Sequence, residues 1–382
     1  MKYKIVDTFP NDFFNNKKAP LFSIYQETSR HLTENKRDAL VFKNLIKEVE
    51  GSLREKYDKK EIKPLMEMFS EIENASTFWS HTYDGIALFA SLDECIIYNL
   101  KKPISTLAVV SDTFHIKPLI HYFQIAQTYQ ILDLDAHSFQ LFEGTPYHIE
   151  KIELSDSIQT TKDEILGTEK TDPYQTHGTY GGSSGKSTFH GHGGKKAEDE
   201  IDLERFFRQV DLIIDENISK KSKCPLILLA PTEYHALFLE MSNNLFLEPK
   251  AISGSYDTLG KEETKKQIEL LNIERLNQKT EKLINQYHQL RPSEKSSDQL
   301  IEIISAVIDG RVETLFIELD KIIPGHIDLV NKKMKTKDLA NPEIDDILDD
   351  LAQYTLEKNG HVYILSKEDM PTESGAAAIY RY

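Results

Sequence analysis

Residues 177–196 read HGTYGGSSGKSTFHGHGGKK, and the chain continues without a break as AEDEIDLERFFRQVDLIIDENI over residues 197–218. The two stretches obey different rules. The first packs seven of the chain's 17 glycines between Gly178 and Gly194, together with His177, His190 and His192, three of its 13 histidines. No apolar period survives there, and a loop is predicted. The second repeats Leu203, Phe206, Phe207, Val210, Ile213, Ile214 and Ile218 at steps of three and four, which lays one apolar stripe along a helix. Next comes CPLILLAP, residues 224–231, a continuous apolar run too short for a helix. It predicts a strand buried on both faces. Because the apolar period already fades at Ser155, the predicted loop spans residues 155–196, longer than an ordinary connection inside a domain.

Outward from this centre, strand and helix signals alternate. Upstream, LFSIYQE (21–27), GIALFAS (85–91), CIIYNL (95–100) and STLAVVS (105–111) read as strands, and residues 38–57 as an amphipathic helix. HIKPLIHYF, residues 115–123, reads as a joint, since Pro118 disfavours a helical backbone at Lys117. Hairpin strands follow over 129–135 and 137–144, with a third over 147–154. Downstream, a long helix starts near Asp257, then helix 300–308, strand 311–319, helix 344–356 and strands 361–366 and 376–382. The fold class is α/β, in three α/β domains: 1–122, 123–257 and 258–382.

Composition narrows the function. With 39% hydrophobic and 28% charged residues the chain has globular composition. Two cysteines, Cys95 and Cys224, exclude a disulfide framework and a four-thiolate zinc site. No run approaches the ~18 to 20 apolar residues that span a bilayer. The opening MKYKIVDTFPNDFF lacks a signal-peptide core, so a cytoplasmic protein without membrane contact is expected. A formal net charge of −16 excludes wholesale wrapping of nucleic acid, while leaving room for a local basic surface.

The loop admits several chemistries beside that of a plain surface loop. Gly185, Lys186 and Ser187 end like a phosphate-binding loop, but Tyr180 stands where its first glycine belongs and no buried strand precedes it. His177, His190 and His192 offer imidazoles without a carboxylate to orient them, and no metal site is assigned. RNA contact is the third reading. Glycines admit a close polyanion, Lys186, Lys195 and Lys196 supply charge, and Arg205 and Arg208 share a face of the helix. The plain alternative for the two arginines is a solvated helix surface. Asp345, Asp346, Asp349 and Asp350 likewise read as a solvated helix face rather than a metal cluster, and Cys224 as an inert core thiol.

The order of these features resembles a known family. The glycine loop ending in HGGKK, the helix LERFFRQVDLII, then PLILLAPTEYHALF and AISGSYDTL are similar to the middle domain of archaeo-eukaryotic class-1 release factors and Pelota, and most of all to the bacterial archaeo-eukaryotic release factor families. FHIKPLI, GRVETLFIE, LDDLAQYTLEKNGHVYILS and AAAIYRY extend the resemblance toward the end of the chain. It implies a C-terminal ribosomal-protein-like α/β sandwich, a ribosome-associated role in rescue, quality control or dormancy, and as partners the ribosome, the tRNA 3′ end and a translational GTPase. No cofactor is implied. In true release factors the loop carries Gly-Gly-Gln; here Gly193 and Gly194 match the glycines and Lys195 replaces the glutamine. The RNA-contact set it implies is His190, His192, Gly193, Gly194, Lys195, Lys196, Arg205 and Arg208. A lysine has no amide to orient water, and the stop-codon motifs Asn-Ile-Lys-Ser and Tyr-x-Cys are missing, so stop-codon-dependent peptide release is not expected. One alternative is a hydrolase of peptidyl-tRNA or another RNA-linked ester with His192 as catalytic base; another is an RNA- or protein-binding module with no ribosomal role.

Overall fold

The computed structural model describes residues 3–15, 18–30, 35–54, 58–125, 128–145, 148–167, 193–336 and 346–382. The N-terminal sheet holds β1 (Tyr3–Val6), β2 (Leu21–Glu27), β3 (Gly85–Ala90), β4 (Cys95–Leu100) and β5 (Leu107–Ser111) in the order β1-β4-β3-β2-β5. Only β1 and β4 pair in parallel. Helices α1 (Asn35–Arg54), α2 (Lys59–Asn74) and α3 (Ser76–Trp79) cover one face through Phe42, Phe69 and Trp79. Helix α2 escapes the sequence reading because Pro64 sits inside it.

Helix α4 (Lys117–Ile125) stands where a joint is expected. Pro118 is its second residue. First-turn N–H groups have no intrahelical acceptor, so proline costs nothing there.

A second sheet follows, ordered β10-β9-β6-β7-β8. It contains β6 (Tyr129–Leu134), β7 (Phe139–Thr145), β8 (His148–Lys151), β9 (Leu226–Ala230) and β10 (Ile252–Ser253), with β6, β9 and β10 parallel. Its helices are α5 (Lys162–Leu166), α6 (Gly193–Ile214), the short α7 (Lys220–Ser222) after a π-helical turn at Asp215–Ser219, and α8 (Thr232–Met241). The expected loop from 155 to 196 is therefore shorter. Thr161 and Glu164 form a capping box that starts α5, and residues 193–196 are already helical.

Helix α9 (Tyr256–Leu290) is broken at Gly260, where φ is +74°. After it, β11 (Ser296–Ser297), α10 (Leu300–Ile308), β12 (Val312–Glu318), β13 (Gly325–Asp328), β14 (Lys333–Thr336), α11 (Ile347–Glu357), β15 (His361–Leu365) and β16 (Ala376–Tyr380) complete the chain. The last sheet runs β11-β16-β12-β15, and β13 and β14 form a separate hairpin.

These sheets gather into two compact units. One is Met1–Ile125 with Glu274–Tyr382, and the other is Ala126–Ile273. Where the sequence reading separates a first and a third domain, one apolar core joins them: Phe14, Tyr25, Phe89 and Phe114 pack in a cluster with Ile304, Leu315, Leu348 and Leu351. In the other unit the sheet is buried on both faces, which explains why β9 reads LILLA without polar alternation.

Candidate functional site

The sequence places its candidate site around α6, and the fold shows what holds that helix. Phe206, Phe207, Val210 and Ile214 are fully buried against β6, β7 and β9, and Phe207 meets Tyr234 and Phe238 of α8 edge-on. Asp211 accepts a hydrogen bond from the Ser242 hydroxyl and another from Asn243 N at 3.0 Å, tying α6 to the turn after α8. Asn244 Nδ2 donates to Ser219 Oγ at 2.8 Å, fixing the π-helical turn to the same place. The apolar stripe and this polar tie leave the opposite face of α6 to solvent.

Arg205 and Arg208 lie on that outer face, with about half of each side chain exposed. Each has a carboxylate about one turn back: Arg205 Nη1 is 3.6 Å from Asp202 Oδ1, and Arg208 Nη2 is 2.6 Å from Glu204 Oε1. Both arginines are exposed to solvent, as the plain surface reading and the RNA-contact reading each require. Exposed pairs of this kind contribute little to stability and are easily exchanged for another anion.

The start of α6 changes the meaning of the loop tip. Gly193, Gly194, Lys195 and Lys196 are its first four residues. A helix's first four N–H groups lack intrahelical acceptors and carry the positive end of its dipole. Glycine carries no side chain to keep a phosphate away from the backbone. No acidic residue occurs in this first turn. His177, Lys186, His190 and His192 lie outside the described residues, and so does Asp345. Among the described residues no three His, Cys, Asp or Glu side chains come together to hold a metal ion.

One residue that the sequence reading passed over stands out in this unit. Asp133 is the next-to-last residue of β6 and is 8% exposed, with Tyr256 N donating to its Oδ2 at 3.3 Å. Burial, with Asp257 and Asp135 adding repulsion against the hydrogen bond from Tyr256, pushes its pKa up to about 6. It can therefore exchange a proton close to neutrality. The signal in the sequence is faint: Asp133 is one of two acids near the end of the run YQILDLD.

The aspartates of the supposed solvated face are corrected outright. Asp346, Asp349 and Asp350 are at most 2% exposed and face residues 113–117, not water.

Residues 128–311 match the model for Bacterial archaeo-eukaryotic release factor family 3. Over that span the chain is similar to this family. The matched span holds the second sheet, α6 with its Gly-Gly-Lys-Lys start, and the chain onward to Arg311, just before β12. No curated protein matches. Among solved structures, the archaeal translation termination factor aRF1 is 13% identical, covering 97% of this chain and 96% of its own, with a TM-score of 0.23. Archaeal Pelota, from a model of ribosome-bound Pelota and ABCE1, is 14% identical over 74% of this chain and 70% of its own, with a TM-score of 0.41. Dom34 of S. cerevisiae, a translation termination-like factor that interacts with Hbs1, is 12% identical over 78% and 79%, with a TM-score of 0.36. Among the described residues, no helix is long and apolar enough to cross a membrane.

Proposed function

We propose that this release-factor-like chain associates with the ribosome in translation rescue, quality control or dormancy, and does not release peptide in response to a stop codon. The observation that carries the reading is the family match over a segment in which Gly193 and Gly194 open α6 and Lys195 follows them. Ester cleavage at the tRNA 3′ end requires a water held in place and a stabilised developing charge. Lys195 brings a cation to that turn but no amide oxygen to accept from water. The helix start suits a phosphate of the tRNA 3′ end better than it suits catalysis. The ribosome and the tRNA 3′ end are the partners proposed, with a translational GTPase to deliver or release the factor, and RNA contact assigned to His190, His192, Gly193, Gly194, Lys195 and Lys196 with Arg205 and Arg208. Purified protein added to ribosomes carrying labelled peptidyl-tRNA, with and without a stop codon in the A site, tests this. Bound ribosomes and no codon-dependent release are expected. Release that disappears in His192→Ala would turn the reading toward the hydrolase.

A further inference from the structure

Helix α11 carries Asp346, Asp349 and Gln353 along one face, with Asp350 beside Asp349, and all four side chains are buried. Each takes hydrogen bonds from the short strap Thr113–Lys117 just ahead of α4 or at its start. The Thr113 hydroxyl donates to Asp350, and Phe114 N donates to Gln353 Oε1 at 2.9 Å. Asp349 accepts from Ile116 N at 2.9 Å and from Lys117 N at 2.6 Å, and Asp346 accepts from Lys117 Nζ at 2.8 Å. Between these, His115 is held from the other side: its N donates to Ser23 Oγ at 2.9 Å, and the Tyr25 hydroxyl donates to its carbonyl at 2.6 Å. At the far end of α4, the Gln124 amide exchanges two hydrogen bonds with the backbone of Ile364 on the edge strand β15.

This joint differs in kind from the apolar core around it. Apolar side chains repack with modest loss, whereas charge-assisted bonds to fixed backbone N–H groups exist in one register or are lost together. Removing one member strands its partner in a dry site. Beside the joint lies a pocket of about 160 Å³ bordered by Phe14, Ile116, Gln353 and Leu356.

We propose that the 346–353 face of α11 is a latch for the strap and α4. Closed, it caps and fixes α4, the last element before the chain leaves its unit at Ile125. Open, it frees the strap and α4 while the two sheets of the unit stay folded. Native-state hydrogen exchange on the full chain tests it, comparing wild type with Asp349→Ala. Loss of bonds to a charged acceptor should speed exchange at residues 114–125 roughly ten- to a hundred-fold, with β3 and β12 as protected as before. Wild-type rates at residues 114–125 in the variant would overturn the proposal, as would equal deprotection of β3 and β12. Should Asp349→Ala not fold, the wild type in sub-denaturing urea decides: residues 114–125 must open at lower urea than β3 and β12, and opening only together with them overturns the latch.

Discussion

Oδ1 of Asp349 lies 2.6 Å from the backbone nitrogen of Lys117, so a side chain of α11 caps the first turn of α4. The same lysine sends its ammonium 2.8 Å to Asp346 and 2.7 Å to the carbonyl of Lys321, with 3% of the residue exposed. Lys117→Met should therefore destabilise the unit by about 3 kcal/mol, because Asp346 keeps a buried charge without its cation. Adding Asp346→Asn should recover part of that loss by removing the charge. Urea unfolding of the two variants and of Asp346→Asn alone checks it; strictly additive effects would show that the pair is not coupled.

Asp133 gives a pH dependence with a definite sign. Its folded pKa of about 6 lies above the ordinary carboxylate value, so the folded state binds the proton more tightly than the unfolded chain. The resulting stability is complete below about pH 4 and is lost as pH rises through 6. Asp133→Asn should accordingly be more stable than wild type by about 2 kcal/mol at pH 8, and equal to it near pH 4. Paired urea titrations at the two pH values check this.

The two faces of α6 should respond in opposite ways. Phe207 is fully buried between aromatic neighbours, and Phe207→Ala is expected to cost about 3 to 5 kcal/mol. Arg205→Ala with Arg208→Ala should change stability by less than about 1 kcal/mol, since both are exposed ion pairs. Thermal unfolding separates the cases, and ribosome binding by the folded arginine variant then reports on RNA contact alone.

Ribosome binding should fall steeply with salt, since each phosphate contact releases counterions. Replacing Lys195 and Lys196 with Ala should weaken co-sedimentation and reduce the logarithmic salt slope by about 2, one for each lysine. An unchanged slope in the double variant would move the RNA contact away from the start of α6.

The sequence by itself determined whatever depends on local period. The stripe from Leu203 to Ile218 specified α6, and the run Leu226–Ala230 specified a strand buried on both faces, because each pattern repeats within the reach of its own element. It also placed the Gly-Gly-Lys-Lys segment correctly in the chain, though as a loop tip and not as a first helical turn, since glycine is a poor helix former and no cap residue announces the start. Polarity is where local reading failed. Asp346, Asp349 and Gln353 recur at helical spacing and look like any solvated face. Asp349 and Gln353 accept from backbone N–H groups of Phe114, Ile116 and Lys117, more than 230 residues earlier, Asp346 accepts from the Lys117 ammonium, 229 residues earlier, and no window along the chain contains both partners. Only the tertiary fold brings that strap against α11, and there a carboxylate that would otherwise lie in water becomes the cap of another helix.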